Sequence, residues 1–213
     1  MWVFFYGERM RAIIISGGRI TDYEYIKSWI AADDTIICAD SGYNHAVKMG
    51  IVPSVIVGDF DSIGEIPDGI ICLRYPARKD LTDTEIAVEY AREKGFNEFI
   101  ILAGTGSRID HSLTNILLLK STLEHGEKAM LIDEHNKIFI TNSHLQLQET
   151  SGSILSIIPL TFCQGVTTKN LEYPLCDAEM FVGKGLGVSN IMLEAHATVF
   201  VNEGVLLVIV AKD

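Results

Sequence analysis

Acidic side chains recur in three short segments of the sequence, each where a β-rich run gives way to a loop. They are Asp40 in residues 38–42, Asp59 and Asp61 in residues 58–62, and Asp80 and Asp83 in residues 79–85. In an α/β protein the carboxyl ends of the strands open into the ligand crevice, so we expect these side chains to face one site. Carboxylates there bind Mg²⁺, a hard ion that takes oxygen ligands and is usually shared with substrate phosphates. The sequence therefore predicts a magnesium-dependent enzyme that acts on a phosphate compound.

Asp59 and Asp61 would project from the same side of an extended segment, roughly 6.6 Å apart along the chain. One cation could then serve both carboxylates, whose mutual repulsion would otherwise cost stability. A surface turn is the alternative, because Gly-Asp and Asp-Ser dipeptides are common in turns. Asp83 could simply complement a helix dipole, and Asp40 could belong to a tight turn. The occurrence of three such segments at strand ends favours a shared site.

A glycine-rich segment, Gly104-Thr-Gly106, supplies a second group of polar residues. It lacks the third glycine of the dinucleotide fingerprint, and the chain has no P-loop sequence. Its backbone N–H groups could bind phosphate with Arg108 as a charged partner, or the segment could be an ordinary turn. His111 and Asn115 are four residues apart and share a helix face, where they line the crevice or satisfy loop backbone.

Composition restricts the partners of the chain. The 213 residues carry a formal net charge of −11, and no basic cluster offers a surface for nucleic acid. An acidic protein that handles a nucleotide needs cations to mediate the contact. The four cysteines form no CxxC pair and indicate reduced thiols, and no apolar run reaches the ~18 residues of a membrane span. We expect a cytoplasmic protein that binds neither nucleic acid nor membrane.

The first part of the chain alternates β-rich runs with helical stretches, which is typical of βαβ units. Strands are expected at 11–16, 35–39, 54–57, 70–74, 99–102 and 129–132, and helices at 22–31, 43–49, from 82 and at 112–123. Thr82 and Glu85 form a capping box at the start of the third helix. This part, residues 10–135, is predicted to be a Rossmann-like domain with a mostly parallel sheet. Residues 1–9 are expected to precede it as an extension, with Met10 as a plausible alternative start.

Helical periodicity disappears beyond residue 137. Strands are expected at 137–141, 144–148, 153–158, 178–182, 197–201 and 205–210, with a turn at Asn202-Glu203-Gly204 joining the last two. Residues 136–213 are therefore predicted to be an all-β domain, a small sandwich or barrel. The fold class is α/β with a C-terminal β-sandwich.

Taken in order, these motifs resemble the bacterial-type thiamine pyrophosphokinase family. Besides the three acidic segments, the chain has Gly-Ser-Arg-Ile-Asp-His111, then Asn115, and a late Gly187-Val-Ser-Asn190. The resemblance spans about residues 11 to 210. It implies an N-terminal catalytic domain, a C-terminal sandwich that helps to bind thiamine, and a homodimer. It also implies that the terminal pyrophosphoryl group of ATP is transferred to the thiamine hydroxyl, with release of AMP.

The resemblance assigns roles to individual residues of this sequence. The expected catalytic residues are Asp40, Asp59, Asp61 and Asp83, and the expected Mg²⁺ ligands are Asp59, Asp61 and Asp83. The expected nucleotide contacts are Asp80, Thr82, Gly104, Arg108, Asp110, His111 and Asn115. The expected thiamine contacts are Ser189 and Asn190. The aromatic side chain that stacks on the acceptor stays open, with Tyr173 and Phe181 as candidates.

Three alternative functions differ from this one in what they require of the sequence. A pyrophosphokinase with another hydroxymethyl acceptor, such as a pterin, would have a similar catalytic half. A phosphatase with Asp59 as nucleophile is disfavoured, because that class has Thr or Val where Ile63 stands. A non-catalytic thiamine or nucleotide sensor would lack acidic ligands, and all of them are present. Which carboxylate, if any, removes the hydroxyl proton stays open, since positioning and electrostatics can suffice.

Overall fold

The computed structural model describes residues 10–61, 63–75 and 80–212. The extension expected at residues 1–9 therefore lies outside the described residues, as do Ser62 and Lys79 of the acidic segments. The contacts of the described chain divide it into two compact units, one that ends at Glu134 and one that begins at His135.

Within its described residues, the first unit has a parallel sheet of six strands and four helices. The strands are β1 (Arg11–Ile15), β2 (Thr35–Ala39), β3 (Val55–Gly58), β4 (Ile71–Arg74), β5 (Glu98–Leu102) and β6 (Lys128–Ile132). The helices are α1 (Tyr23–Lys27), α2 (Gly42–Met49), α3 (Asp83–Glu93) and α4 (Ile109–Glu124). The strand order is β4-β3-β2-β1-β5-β6, with parallel pairing throughout. The order reverses between β1 and β5, which makes this the switch point where such folds bind ligands. The predicted Rossmann-like class is confirmed.

The core of this unit consists of short, continuous apolar strands. Ile13, Ile37 and Ile100 are completely buried, as expected for parallel strands that are covered on both faces. The exception is β4, which is mostly exposed and lies at the edge of the sheet.

The helix boundaries follow local hydrogen bonding. The predicted capping box is confirmed: Thr82 Oγ1 accepts from the N–H of Glu85, and the Glu85 carboxylate accepts from the N–H of Thr82. The helix α1 is shorter than the predicted 22–31. Beyond Lys27 the N–H groups of Trp29 and Ile30 bond three residues back, so the chain tightens into 3₁₀-type turns instead of continuing the α-helix.

The second unit contains only strands among its described regular elements, in two antiparallel sheets. The strands are β7 (Asn136–Thr141), β8 (His144–Gln148), β9 (Ile154–Pro159), β10 (Cys163–Lys169), β11 (Ala178–Met180), β12 (Asn190–Ile191), β13 (His196–Phe200) and β14 (Leu206–Ala211). One sheet has the order β12-β9-β14-β7 and the other β11-β10-β13-β8. Buried and exposed residues alternate along β8 and β13, as in sheets with one face on a core.

Two strands of this unit, β10 and β12, were not predicted. The pairing of β10 with β11 shifts register between Cys163 and Val166, around Gly165. A bulge of this kind interrupts the alternating pattern by which a strand is recognised in sequence. β12 has only two residues, too few for any periodicity. No helix within the described ranges is long and apolar enough to cross a membrane.

Candidate active site

The acidic segments lie at the carboxyl edge of the parallel sheet. Loops leave this edge after β1, β2, β3 and β5, and the first turn of α3 is bonded to the end of β1. The contact is a hydrogen bond of 2.9 Å between the buried hydroxyl groups of Ser16 and Thr84. It places Asp83, the neighbour of Thr84, at the same edge as the acids that follow β2 and β3.

Asp40 directly follows β2 and lies against the end of β3. Its N–H donates to the carbonyl of Val57 over 2.7 Å. Gly58, at φ 150°, lies so close to Asp40 that a Cβ on it would be only 3.0 Å from the Cβ of Asp40, a tight contact. Asp40 itself adopts a left-handed conformation, with φ 43°. The close approach of Gly58 therefore brings Asp40 next to the Asp59–Asp61 motif.

Asp59 and Asp61 lie in a turn, so the expectation of an extended segment was wrong. Phe60, between them, has φ 69°, and the N–H of Asp61 donates to Asp59 Oδ1 over 3.1 Å. An aspartate side chain that bonds the backbone two residues ahead competes in this way with extended structure. The guanidinium of Arg74 lies 5.1 Å from the centre of the Phe60 ring, so it contacts the residue that lies between the two acids in the sequence.

The glycine turn after β1 is fixed to the loops on both sides of it. The N–H of Gly18 donates to the carbonyl of Ala103, which follows β5, over 2.8 Å. A Cβ on Gly17 would lie 2.0 Å from Ser41 Oγ, which belongs to the loop after β2. The turn thus lies at the switch point of the sheet and joins the two halves of the carboxyl edge.

Two side-chain hydrogen bonds, made by Asn115 and Thr105, hold the glycine-rich segment after β5 in place. The buried side chain of Asn115 donates to the carbonyl of Gly104 over 2.8 Å. The hydroxyl of Thr105 donates to the buried Asp133 over 2.7 Å. Of the alternatives for Asn115, the structure therefore shows the one in which it satisfies loop backbone.

Exposed charges mark the start of α4. Arg108 and Asp110 form an ion pair of 2.5 Å, and their side chains are 68% and 64% exposed. The hydrogen bond from Arg108 lowers the pKa of Asp110 below its ordinary value. His111 is exposed beside them. Because both side chains are exposed to solvent, the pair adds little stability, and an incoming phosphate can displace the carboxylate from Arg108.

The residues before α3 divide into a cap and an exposed loop. The hydroxyl of Thr82 already accepts the capping bond from Glu85, which limits the contacts that it can make with a nucleotide. Asp80 is exposed. Both residues precede the helix turn that carries Asp83.

The carboxylates are suited to a cation but are not preassembled around one. Across the described residues, no three His, Cys, Asp or Glu side chains form a group that could by itself bind a metal ion. Mg²⁺ commonly takes only one or two carboxylates and completes its shell with water and substrate phosphates. The donor set at this edge fits an ion that arrives with a phosphate substrate.

The two residues expected at thiamine differ in what they contact. Asn190 is buried, and its amide accepts from the N–H of Tyr173 over 3.0 Å and donates to the carbonyl of Tyr173 over 2.7 Å. Ser189 is exposed at φ 57°, and its N–H donates to Ser156 Oγ. Asn190 therefore fixes the Tyr173 backbone, whereas the Ser189 hydroxyl faces solvent. The ring of Phe181 lies 5.0 Å from that of Phe162.

Sequence reasoning missed several residues that build this edge. Gly17-Gly18 had a recognisable pattern, a glycine pair directly after a buried apolar strand. The Ser16–Thr84 bond and the placement of Arg74 beside Phe60 had none, because each joins residues that only the strand order brings together.

Comparison with known proteins gives a consistent result. Residues 26–131 match the family of thiamin pyrophosphokinase catalytic domains, and residues 142–206 match the thiamin pyrophosphokinase vitamin B1 binding domain. The chain is 32% identical to the thiamine pyrophosphokinase of Bacillus subtilis (strain 168) over 186 residues, which cover 83% of this chain and 87% of that protein.

Solved structures agree with these matches. The crystal structure of thiamine pyrophosphokinase from Bacillus subtilis superimposes with a TM-score of 0.87 and 26% identity, covering 95% of this chain and 99% of that one. The crystal structure of thiamin pyrophosphokinase from Geobacillus thermodenitrificans gives a TM-score of 0.84 and 25% identity, covering 96% and 98%.

Proposed function

The chain belongs to the thiamine pyrophosphokinase family, and from this we propose how its residues carry out the reaction of that family. The reaction is the ATP-dependent transfer of a pyrophosphoryl group to the hydroxyl of thiamine, which gives thiamine diphosphate and AMP. A pterin acceptor and a sensor without activity are not favoured, because residues 142–206 match a vitamin B1 binding domain and no expected acid is missing.

The main support for the proposal is that the acidic segments lie at the same edge of the sheet. Asp40 lies against Gly58, and the Ser16–Thr84 bond brings the start of α3 to the end of β1. We therefore assign catalysis to Asp40, Asp59, Asp61 and Asp83.

The metal ion is proposed to be Mg²⁺, bound by Asp59, Asp61 and Asp83. When bound, it supplies charge neutralisation on the triphosphate, which is worth several kcal/mol in the transition state. The carboxylates leave coordination positions for phosphate oxygens, in agreement with a site that the described side chains do not complete alone.

The nucleotide is proposed to bind along the loops of the same edge. Its direct contacts are assigned to Asp80, Thr82, Gly104, Arg108, Asp110 and His111. Arg108 exchanges its exposed ion pair with Asp110 for a phosphate oxygen. Asn115 acts through Gly104, whose carbonyl it already binds, and so shapes the segment instead of touching the nucleotide.

The chemical step is an in-line displacement at the β-phosphorus of ATP. A bond forms between the thiamine hydroxyl oxygen and the β-phosphorus, and the bond from that phosphorus to the oxygen bridging to the α-phosphorus breaks. AMP leaves with that oxygen, and the hydroxyl proton passes to a carboxylate of the site or to solvent. Most of the catalysis of such transfers is positioning and electrostatic stabilisation, so no dedicated base is required.

Thiamine recognition is assigned to the second unit. Ser189 contacts the vitamin with its exposed hydroxyl, and Asn190 fixes the backbone of Tyr173 next to it. The positive thiazolium ring suits a protein with a net charge of −11.

A homodimer in the cytoplasm is the proposed state of the enzyme. Several large apolar side chains of the second unit are exposed, and association with a second copy would remove them from water. They are Phe162, Phe181, Val182, Leu186 and Val188, which we call the apolar loop set. All four cysteines are free thiols, as is usual in a reducing compartment.

The test of the function is AMP release from ATP and Mg²⁺ in the presence of thiamine, a hydroxymethylpterin or no acceptor, with the product identified by mass. We expect AMP only with thiamine, together with thiamine diphosphate. AMP formed only with the pterin would replace the substrate and keep the mechanism. Folded protein that binds thiamine without forming AMP would instead be a sensor.

A further inference from the structure

His45, on α2, makes two hydrogen bonds that the proposed reaction does not use. Its Nε2 lies 2.8 Å from the carbonyl oxygen of Gly18, and its Nδ1 lies 2.9 Å from the hydroxyl of Tyr23. A carbonyl oxygen only accepts, so Nε2 carries the hydrogen and Nδ1 of the neutral ring accepts from the hydroxyl. The Gly18 carbonyl thus fixes the tautomer of the imidazole, and the Tyr23 hydroxyl helps to fix its orientation.

The surroundings of the ring keep it neutral. Partial burial, and more weakly the charge of Lys48, lower the pKa of His45 below its ordinary value, against opposing effects of the Gly18 carbonyl and of Glu134. The ammonium group of Lys48 lies 5.6 Å from the centre of the Tyr23 ring. Among the described residues, the charged and titratable groups that act on His45 are Tyr23 on α1, Lys48 on α2 and Glu134 after β6.

The other partner, Gly18, is restrained on its opposite side as well. Its N–H donates to the carbonyl of Ala103, and a Cβ on it would lie 2.1 Å from the carbonyl oxygen of Thr105. Gly18 is thus fixed between the loop after β5 and the helix α2. The bond to His45 joins its carbonyl oxygen, the only acceptor of that peptide, to the helix.

This geometry matters for an anionic ligand at the same edge. A carbonyl oxygen that turned toward a triphosphate would repel it, whereas one that is bonded to an imidazole N–H stays with the helix. We propose that His45, oriented by Tyr23, is a positioning residue that fixes the Gly17–Gly18 turn in the conformation needed for nucleotide binding. The inference rests on the proposed function, because it assigns the nucleotide to this edge.

Four substitutions separate this role from simple packing between helices. His45→Gln keeps an amide that reaches Gly18 from the position of Nε2 and can accept from Tyr23. His45→Asn places its amide near the position of Nδ1 and does not reach Gly18. His45→Ala removes both bonds, and Tyr23→Phe removes only the orienting hydroxyl.

The measurement is the dissociation constant of α,β-methylene-ATP with Mg²⁺, determined by calorimetry without thiamine. This analogue cannot be cleaved at the bond that the reaction breaks. Loss of one hydrogen bond to the turn should weaken binding about five- to tenfold in the Asn and Ala variants. The dissociation constant of the Gln variant should stay within about twofold of the wild-type value. That of Tyr23→Phe should lie between the values of the Gln and Ala variants. In turnover assays the KM for ATP should rise in the same order, with the KM for thiamine unchanged.

Two results would overturn the inference. One is analogue binding in His45→Asn and His45→Ala that equals wild type. The other is a Gln variant that binds the analogue as weakly as the Ala variant, with each loss of affinity matched by a lower melting temperature. That result would mean that the role of the histidine is purely structural. The acceptor assay separates this test from that of the function. If wild type binds the analogue but forms no thiamine diphosphate, the proposed function fails and the order of the variants still decides the role of His45.

Discussion

At the scale of single residues, the predicted catalytic acids differ in how much the local backbone conformation depends on each of them. Asp40 adopts a left-handed conformation, donates from its N–H to Val57 and lies against Gly58. Asp61 is exposed, and it bonds to Asp59 through its backbone N–H and not through its carboxylate. Replacement of the Asp61 carboxylate should therefore change activity without disturbing the fold, which makes it the cleaner test of the site.

Asp61→Asn should lower kcat by about 100-fold or more, because the proposed Mg²⁺ would lose a charged ligand worth several kcal/mol. The melting temperature should stay within about 2 °C of wild type, as for most exposed substitutions. Turnover at matched Mg²⁺ and thermal unfolding by circular dichroism are the measurements.

The matched control is Asp68→Asn, an exposed aspartate of the loop between β3 and β4. It removes the same charge without removing a proposed ligand. Activity of Asp61→Asn within a factor of two of wild type would contradict the metal role.

Glu134 links stability to pH. Desolvation acts to raise its pKa, but hydrogen bonds from the N–H groups of Thr21 and Asp22 and from the Thr21 hydroxyl lower it overall below the ordinary value of 4.5. A depressed carboxyl pKa adds stability that is fully present above pH 4.5 and is lost as the pH falls through the folded-state pKa.

Glu134→Gln should therefore be less stable than wild type at pH 7, and the difference should shrink as the pH falls below 4.5. Urea unfolding at a series of pH values measures it, with the exposed Glu65→Gln as control. A stability difference between the two proteins that is constant with pH would mean that ionisation of Glu134 does not contribute to stability.

At the scale of elements, the helix α3 positions the acids through its first turn. Its buried face, with Ile86 and Val88, contacts the sheet at β1, β2 and β3. The capping box fixes where the helix begins, and the Ser16–Thr84 bond fixes that beginning to the end of β1. The position of Asp83 is thus set by a local cap and a distant hydroxyl together.

Thr82→Ala should lower the free energy of unfolding by about 1 kcal/mol, because the N–H of Glu85 loses its acceptor. Thr82→Ser should restore most of the stability, since it keeps the hydroxyl. Chemical denaturation measures both. Equal stability of the Ala and Ser variants would show that the side-chain cap contributes nothing.

Helices and strands were predictable from sequence where one local feature of the sequence is enough to form them. The parallel strands β1, β2 and β5 were found because burial on both faces requires continuous apolar residues, and the α3 cap was found because Thr82 and Glu85 are three residues apart. The strand β10 was not found, because a register shift around Gly165 interrupts its pattern.

The local geometry of the site was less predictable. The acid types and their order along the chain were readable, but the turn at Phe60 depends on a side chain bonding to backbone. The contact of Asp40 with Gly58 depends on the pairing of β2 with β3. Sequence reasoning thus identified which residues to consider, while the contacts between segments required the strand order.

At the scale of the whole molecule, charge and exposed apolar surface have separate consequences. The net charge of −11 favours binding of a cationic vitamin and suits a cation that would mediate the contact with an anionic nucleotide. The apolar loop set, which includes the contacting rings of Phe162 and Phe181, is surface that association would remove from water.

Phe181→Asp should shift the proposed dimer toward monomer, because it places a charge in the apolar loop set. Light scattering coupled to size-exclusion chromatography measures the mass of both proteins at equal concentration. Val52→Asp is the control, since Val52 is 78% exposed in the first unit. A Phe181→Asp protein with the mass of wild type would remove this set from the interface.

The joining of the glycine turn to the loop after β5 has a consequence for the order of folding. Gly18 and Ala103 bond directly, yet β2, β3 and β4 all lie between them in the sequence. Contacts between such distant segments require closure of a long loop and form slowly. During synthesis on the ribosome, the early strands can pair while β5 is still unmade. The proposed nucleotide edge is therefore completed only when β5 arrives, so a nascent chain can pair β1 to β4 before it gains all of the loops assigned to nucleotide binding.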